Sequence, residues 1–140
     1  MTYETVVRWI AVSRGLPIPI AQYRVVTARG VYYTDLAWRL RKWIGGRVVR
    51  EWAIHAEFDG AMKYGAGTSI GRGADAARTV VNEKLREDAI RELGDTFRRF
   101  DRRDVEDEDN VFRRLCAAFP ASMTVGLRPV PGLLAPPGSK

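Results

Sequence analysis

At 140 residues the chain has the length of one domain, and with 46% hydrophobic and 10% aromatic residues it can bury a single core without disulfides or metals. One cysteine, Cys116, and one histidine, His55, exclude an internal disulfide, leave too few soft ligands for a structural zinc site and point to a reducing compartment. The net charge is +6, carried by 19 Arg against 4 Lys; planar guanidinium forks pair with phosphate oxygens and stack on bases, so this bias points to a nucleic-acid backbone.

The chain is expected to be soluble, because no apolar run approaches the ~18 residues of a membrane span and the opening residues do not read as a cleavable address. Thr2 to Val12 is β-prone, with Tyr3, Val7 and Trp9 on one face and Val6, Ile10 and Val12 on the other, which predicts a strand covered on both sides. Gly15, Pro17 and Pro19 end it. From Ile20 to Ile44 the pattern is mostly helical, interrupted by Gly30 and the run Val31, Tyr32, Tyr33. Leu36, Leu40, Trp43 and Ile44 keep helical spacing up to a stop at Gly45-Gly46.

Arg47 to Phe58 predicts a strand: Val48, Trp52, Ile54, Ala56 and Phe58 share one face with Arg50, while Glu51, His55 and Glu57 take the other. Asp59-Gly60 is a turn, and Gly65, Gly67, Gly71 and Gly73 make a loop. Its glycines fit neither a P-loop, since Arg72-Gly73 stands where Lys and Ser or Thr are needed, nor the dinucleotide fingerprint. Ala74 to Phe100 is open to two readings. One is a single helix along Val81, Leu85, Ala89, Leu93 and Phe97; the other is a strand over Arg78 to Arg86 followed by a helix from Glu87 to Phe100 with Ile90, Leu93, Phe97 and Phe100 buried.

Asp101 to Asp109 carries both signs of charge and reads as a solvated connection. Asn110 to Phe119 is a short apolar segment, a last strand or a short helix, in which Cys116 is a small buried hydrophobe. From Pro120 the chain holds five of its seven prolines and is expected to be an extended tail. This divides it into a domain over 1–119 and a tail over 120–140. The pairs Arg98-Arg99, Arg102-Arg103 and Arg113-Arg114 concentrate phosphate-binding forks, unless Asp95, Asp101, Asp104 and the run Glu106 to Asp109 neutralise them.

Four stretches carry a family resemblance. Met1-Thr2-Tyr3-Glu4-Thr5-Val6-Val7, Gly45-Gly46-Arg47-Val48-Val49-Arg50, Ile90-Arg91-Glu92-Leu93 with Thr96-Phe97-Arg98, and Asp107-Glu108-Asp109-Asn110-Val111-Phe112-Arg113 resemble, in order, parts of small ribosomal subunit protein six, a bacterial-type family also found in mitochondria. The resemblance implies an α+β, ferredoxin-like split β-α-β sandwich, an antiparallel sheet with two helices on one face, ahead of the Pro-rich tail. It implies a non-enzymatic constituent of the small ribosomal subunit, in the mitochondrial matrix or, as second choice, the bacterial cytoplasm. Such a protein binds ribosomal RNA and a neighbouring small-subunit protein, with no cofactor, small-molecule substrate or membrane. Arginine contacts to phosphates and ribose hydroxyls would supply affinity. The implied carriers are Arg8, Arg47, Arg50, Arg98, Arg99, Arg113 and Arg114, with Lys63 and Arg72 reaching RNA from the glycine loop.

Three rivals stand beside it. A double-stranded-RNA-binding domain is suggested by Glu57-Phe58-Asp59-Gly60 through Gly65-Ala66-Gly67-Thr68-Ser69 ahead of a long helix, and one continuous helix from Ala74 to Phe100 would favour it. A viral or other assembly subunit without RNA would turn its basic face to acidic protein. An enzyme would use His55, set between Glu51 and Glu57, as a base.

Overall fold

The computed structural model describes residues 2–59 and 73–133, so the glycine loop and the last seven residues lie outside the described part. The chain opens with a helix, α1 (Tyr3–Ser13), not the expected strand. The side chain of Thr2 accepts a hydrogen bond from the Thr5 amide as N-cap, Glu4 sits in the first turn where the helix dipole favours it, and Val7, Ile10 and Ala11 form the buried stripe. Apolar residues on both faces of a notional strand thus describe equally well a helix with one wide buried side.

Two strands, β1 (Ile20–Thr27) and β2 (Gly30–Ile44), replace the expected helix over 20–44. They join a third, β3 (Arg47–Phe58), which lies where the alternation placed it. All three form an antiparallel meander. Leu36, Trp38 and Leu40 are buried at period two, and of the apolar set that suggested a helix, Trp43 and Ile44 are exposed. A helix, α2 (Gly73–Glu92), then crosses over to β4 (Thr96–Phe100), which lies parallel to β3. The single-helix reading of 74–100 holds over 73–92 and fails beyond Gly94; the other reading is reversed, since its strand over 78–86 is helical and the end of its helix, 96–100, is a strand.

The class is α+β with a four-stranded sheet, in the order β1-β2-β3-β4. The sheet is mixed where an antiparallel one was expected, because the β3–β4 pair is parallel and a parallel pair needs a crossover connection. Helices also cover both faces, not one. On the first face α1, α3 (Arg102–Glu106) and α4 (Glu108–Cys116) enclose a core of Val7, Ile10, Leu36, Trp38, Ile54, Phe100, Val111 and Leu115. On the second, α2 buries Ile90 against Phe97 and Val25.

The charged run 101–109 is the lead-in to these helices. Asp101 and Asp104 form a reciprocal capping box on α3, and Asp107 caps α4 by accepting from the Asn110 amide. Backbone amides hold the Asp101 carboxyl below its ordinary value. Beyond Pro120 the expected tail folds back as far as Leu133, through a short helix α5 (Ala121–Thr124) and a 3-10 turn (Pro131–Leu133). The Val130 amide donates to the Ser13 carbonyl (2.8 Å) and the Trp9 indole to the Leu133 carbonyl (2.6 Å), clasping the segment onto α1. No helix among the described residues is long and apolar enough to cross a membrane.

Candidate nucleic-acid interface

β2 and β3 outrun the core. From Arg41 to Glu51 every residue is exposed, leaving a two-stranded ribbon that projects beyond the helices. Its tip is Gly45-Gly46, with φ of 58° and 79°. Positive φ at both central residues defines the type I′ turn whose twist matches a hairpin, and side chains there would strain it. The ribbon pairs Arg41 with Glu51, Lys42 with Arg50, Trp43 with Val48 and Ile44 with Arg47, and a bulge between Lys42 and Trp43 leaves Val49 without a ladder partner.

Between 39 and 51 the ribbon carries five cationic side chains, Arg39, Arg41, Lys42, Arg47 and Arg50, against one carboxylate, Glu51, a net of +4. Arg41 spends its charge on Glu51 at 3.1 Å. Among the described residues the other four have no acidic partner within salt-bridge distance. Arg50 lies 4.3 Å above the Trp52 ring and donates to the Gly94 carbonyl (3.2 Å). Lys42 and Arg50 stand directly opposite one another, a like-charge pair that costs stability until an anion offsets it. Trp43 is 59% exposed at the edge of a cleft that continues over Trp52, Phe119 and Met123.

The other end of the same hairpin is also charged, but in balance. Arg86 on α2 grips both carboxylate oxygens of Glu57 and donates to the Tyr33 carbonyl (2.9 Å). Arg99 reaches Glu83 (3.1 Å) and Asp59 (3.5 Å), with its Nε buried and without a hydrogen-bond partner. Asp35 accepts from the Phe58 amide (3.1 Å). Burial, with Asp35 and Glu57 nearby, holds the Glu4 carboxyl above its ordinary value. Among the described residues no three His, Cys, Asp or Glu side chains are grouped so as to hold a metal ion.

The implied RNA carriers are scattered over this frame. Arg47 and Arg50 stand on the ribbon; Arg8 is exposed on α1 beside Trp9 and Leu133. Arg98, Arg99 and Arg114 staple β4 to α4 and α2: Arg98 donates to the Arg114 carbonyl (3.2 Å), and Arg114 to the Arg99 carbonyl (3.0 Å) and to Asp104 (3.3 Å). Burial, then Arg114 and Arg91, lower the Arg98 pKa. Arg113 is exposed and donates to Asn110 (3.0 Å). Lys63 and Arg72 lie outside the described residues. Sequence reasoning passed over Arg39, Arg41 and Lys42, although cations alternating with apolar residues up to a Gly-Gly turn also describe a basic hairpin.

His55 is fully buried, not on a charged surface, because it lies among the rings of Tyr23 and Phe97 on the face of the sheet where α2 packs. Its Nε2 lies 2.8 Å from Asp95 Oδ2 and its Nδ1 2.9 Å from the Thr34 hydroxyl, while Asp95 Oδ1 accepts from the Ala53 amide (2.9 Å). A carboxylate can only accept, so Nε2 donates to Asp95, while Nδ1 shares a hydrogen bond with the Thr34 hydroxyl. The imidazole is thereby saturated and closed to solvent, the opposite of what a general base needs. Cys116 is half-buried, and burial raises its thiol pKa, which disfavours the reactive thiolate.

Comparison with protein-family models, with curated proteins and with solved structures finds no match. Of the four stretches carrying the ribosomal resemblance, 45–50 leads into a strand and 90–92 lies in a helix, as the resemblance implies; 93–98 runs through a turn into β4, and 1–7 and 107–113 lead into helices where strands are implied.

Proposed function

We propose that the chain binds nucleic acid by its phosphate backbone through the β2–β3 ribbon. The supporting observation is the clustering on one projecting ribbon of four exposed cations, Arg39, Lys42, Arg47 and Arg50, without acidic partners among the described residues, whereas Arg86, Arg98, Arg99 and Arg114 of the body are bonded to acids or carbonyls. Phosphate neutralisation by such side chains releases counterions, so binding weakens as salt rises. Filter retention of labelled nucleic acid from 50 to 200 mM salt tests this; the double variant Arg47→Ala/Arg50→Ala should lose about tenfold, and salt-independent retention would count against the reading. The RNA-directed alternative is a role within the small ribosomal subunit. It rests on the sequence resemblance, and cosedimentation with small subunits tests it.

A further inference from the structure

From the shape of the ribbon we infer that its partner is duplex DNA, entered at the major groove; this rests on the nucleic-acid reading above. The exposed part runs about four residues on each strand, Arg41 to Ile44 and Arg47 to Arg50, or ~13 Å at ~3.3 Å per residue. The major groove of B-form DNA, ~12 Å wide and ~8.5 Å deep, admits a two-stranded β-ribbon, and a projection of ~13 Å is long enough for its tip to reach the groove floor. A-form RNA presents a deep, narrow major groove that side chains cannot read, so the same mode of entry is not open to it.

The distribution of charge agrees with that geometry. Alternation along the strands puts Lys42 and Arg50 on one face and Arg39 on the other, so free cations stand on both sides of the ribbon, as the phosphates flank a groove. Trp43 and Ile44, exposed near the tip, are apolar groups positioned for thymine methyls. A single strand fits less well. Stacking platforms for successive bases need a row of open aromatic faces, and Arg50 covers the Trp52 ring, leaving Trp43 alone.

The test is fluorescence anisotropy with a 20-base-pair DNA duplex, the RNA duplex of the same sequence and either DNA strand alone, joined to dimethyl sulfate footprinting of guanine N7 in the DNA complex. The expected result is DNA duplex bound at least ~10-fold more tightly than the other two, with N7 protected. The salt slope should be about −3 to −4 for four phosphate contacts, falling by about two in Arg47→Ala/Arg50→Ala. Because both side chains are exposed, the variant's unchanged thermal melt would show that its fold is intact, and the charge reversal Lys42→Glu provides an independent second disruption. RNA duplex or single strand bound as tightly as duplex DNA, or unprotected N7, overturns the inference while leaving nucleic-acid binding in place. No retention of any of the three by the wild type overturns both.

Discussion

The two ends of the β2–β3 hairpin carry the same kinds of residue in opposite states. At the sheet end, Arg86 and Arg99 are locked to Glu57, Glu83 and Asp59, and the ring of His55 is held between Thr34 and Asp95. At the ribbon end, Arg39, Lys42, Arg47 and Arg50 have no acidic partner among the described residues, and Lys42 faces Arg50. A count of arginines cannot tell these states apart. What separates them is whether a carboxylate-bearing element is folded against the same surface: α2 is packed over one end, and nothing among the described residues covers the other.

This difference makes distinct predictions for the two ends. The largest effect is expected from Asp95→Ala, which leaves His55 and the Ala53 amide buried without an acceptor and should cost about 3–5 kcal/mol in urea unfolding, with DNA affinity per folded molecule unchanged. Arg86→Ala strands the largely buried Glu57 carboxylate and should cost about 2–3 kcal/mol by the same measurement. At the ribbon the effect should move from stability to binding: Arg47→Ala/Arg50→Ala is expected to shift unfolding by no more than about 0.5 kcal/mol, while affinity falls about tenfold. Ribbon variants that unfold the protein, or an Asp95 variant that spares stability and abolishes binding, would erase the distinction.

The smallest predicted effect has a pH signature. The folded state raises the Glu4 pKa above its ordinary 4.5, mainly by burial and then through Asp35, so the native protein favours the protonated form. That contribution is fully present below pH 4.5 and is lost as pH rises through the raised value. Glu4→Gln should therefore melt slightly higher than wild type at neutral pH, with the gap closing as the medium is acidified. A gap that widens on acidification would mean that an unrecognised cation holds the Glu4 carboxylate charged.

Legibility in the sequence followed period and partner. β3 could be read because two faces of different character alternate along it, and the buried Trp38 and Leu40 of β2 could not, because Leu36, Leu40, Trp43 and Ile44 satisfy helical spacing while also lying on a strand. α1 escaped notice although Thr2 and Glu4 are a helix start in type and position. The break between α2 and β4 was marked by Gly94, whose φ of 87° ends the helix, but Phe97 and Phe100 fit a continued helical stripe as well as a strand's inward face. For the candidate interface, Arg47 and Arg50 are carriers that the resemblance implies. That Arg98, Arg99 and Arg114 are structural depended on contacts with residues far along the chain, Asp59 and Glu83 among them, which local patterning does not register.

The parallel edge of the sheet has a kinetic consequence. β1, β2 and β3 meet through two tight turns, whereas β4 reaches β3 only after the whole crossover, Thr96 pairing with Ile54 at a separation of 42 positions (96 minus 54). Loop-closure entropy makes such a contact slow to form, so the meander should assemble first and β4 should dock late. Until it does, Phe97 and Phe100 are unburied and the edge of β3 is open, so a newly made chain passes through an interval in which sticking to another unfinished copy competes with its own completion.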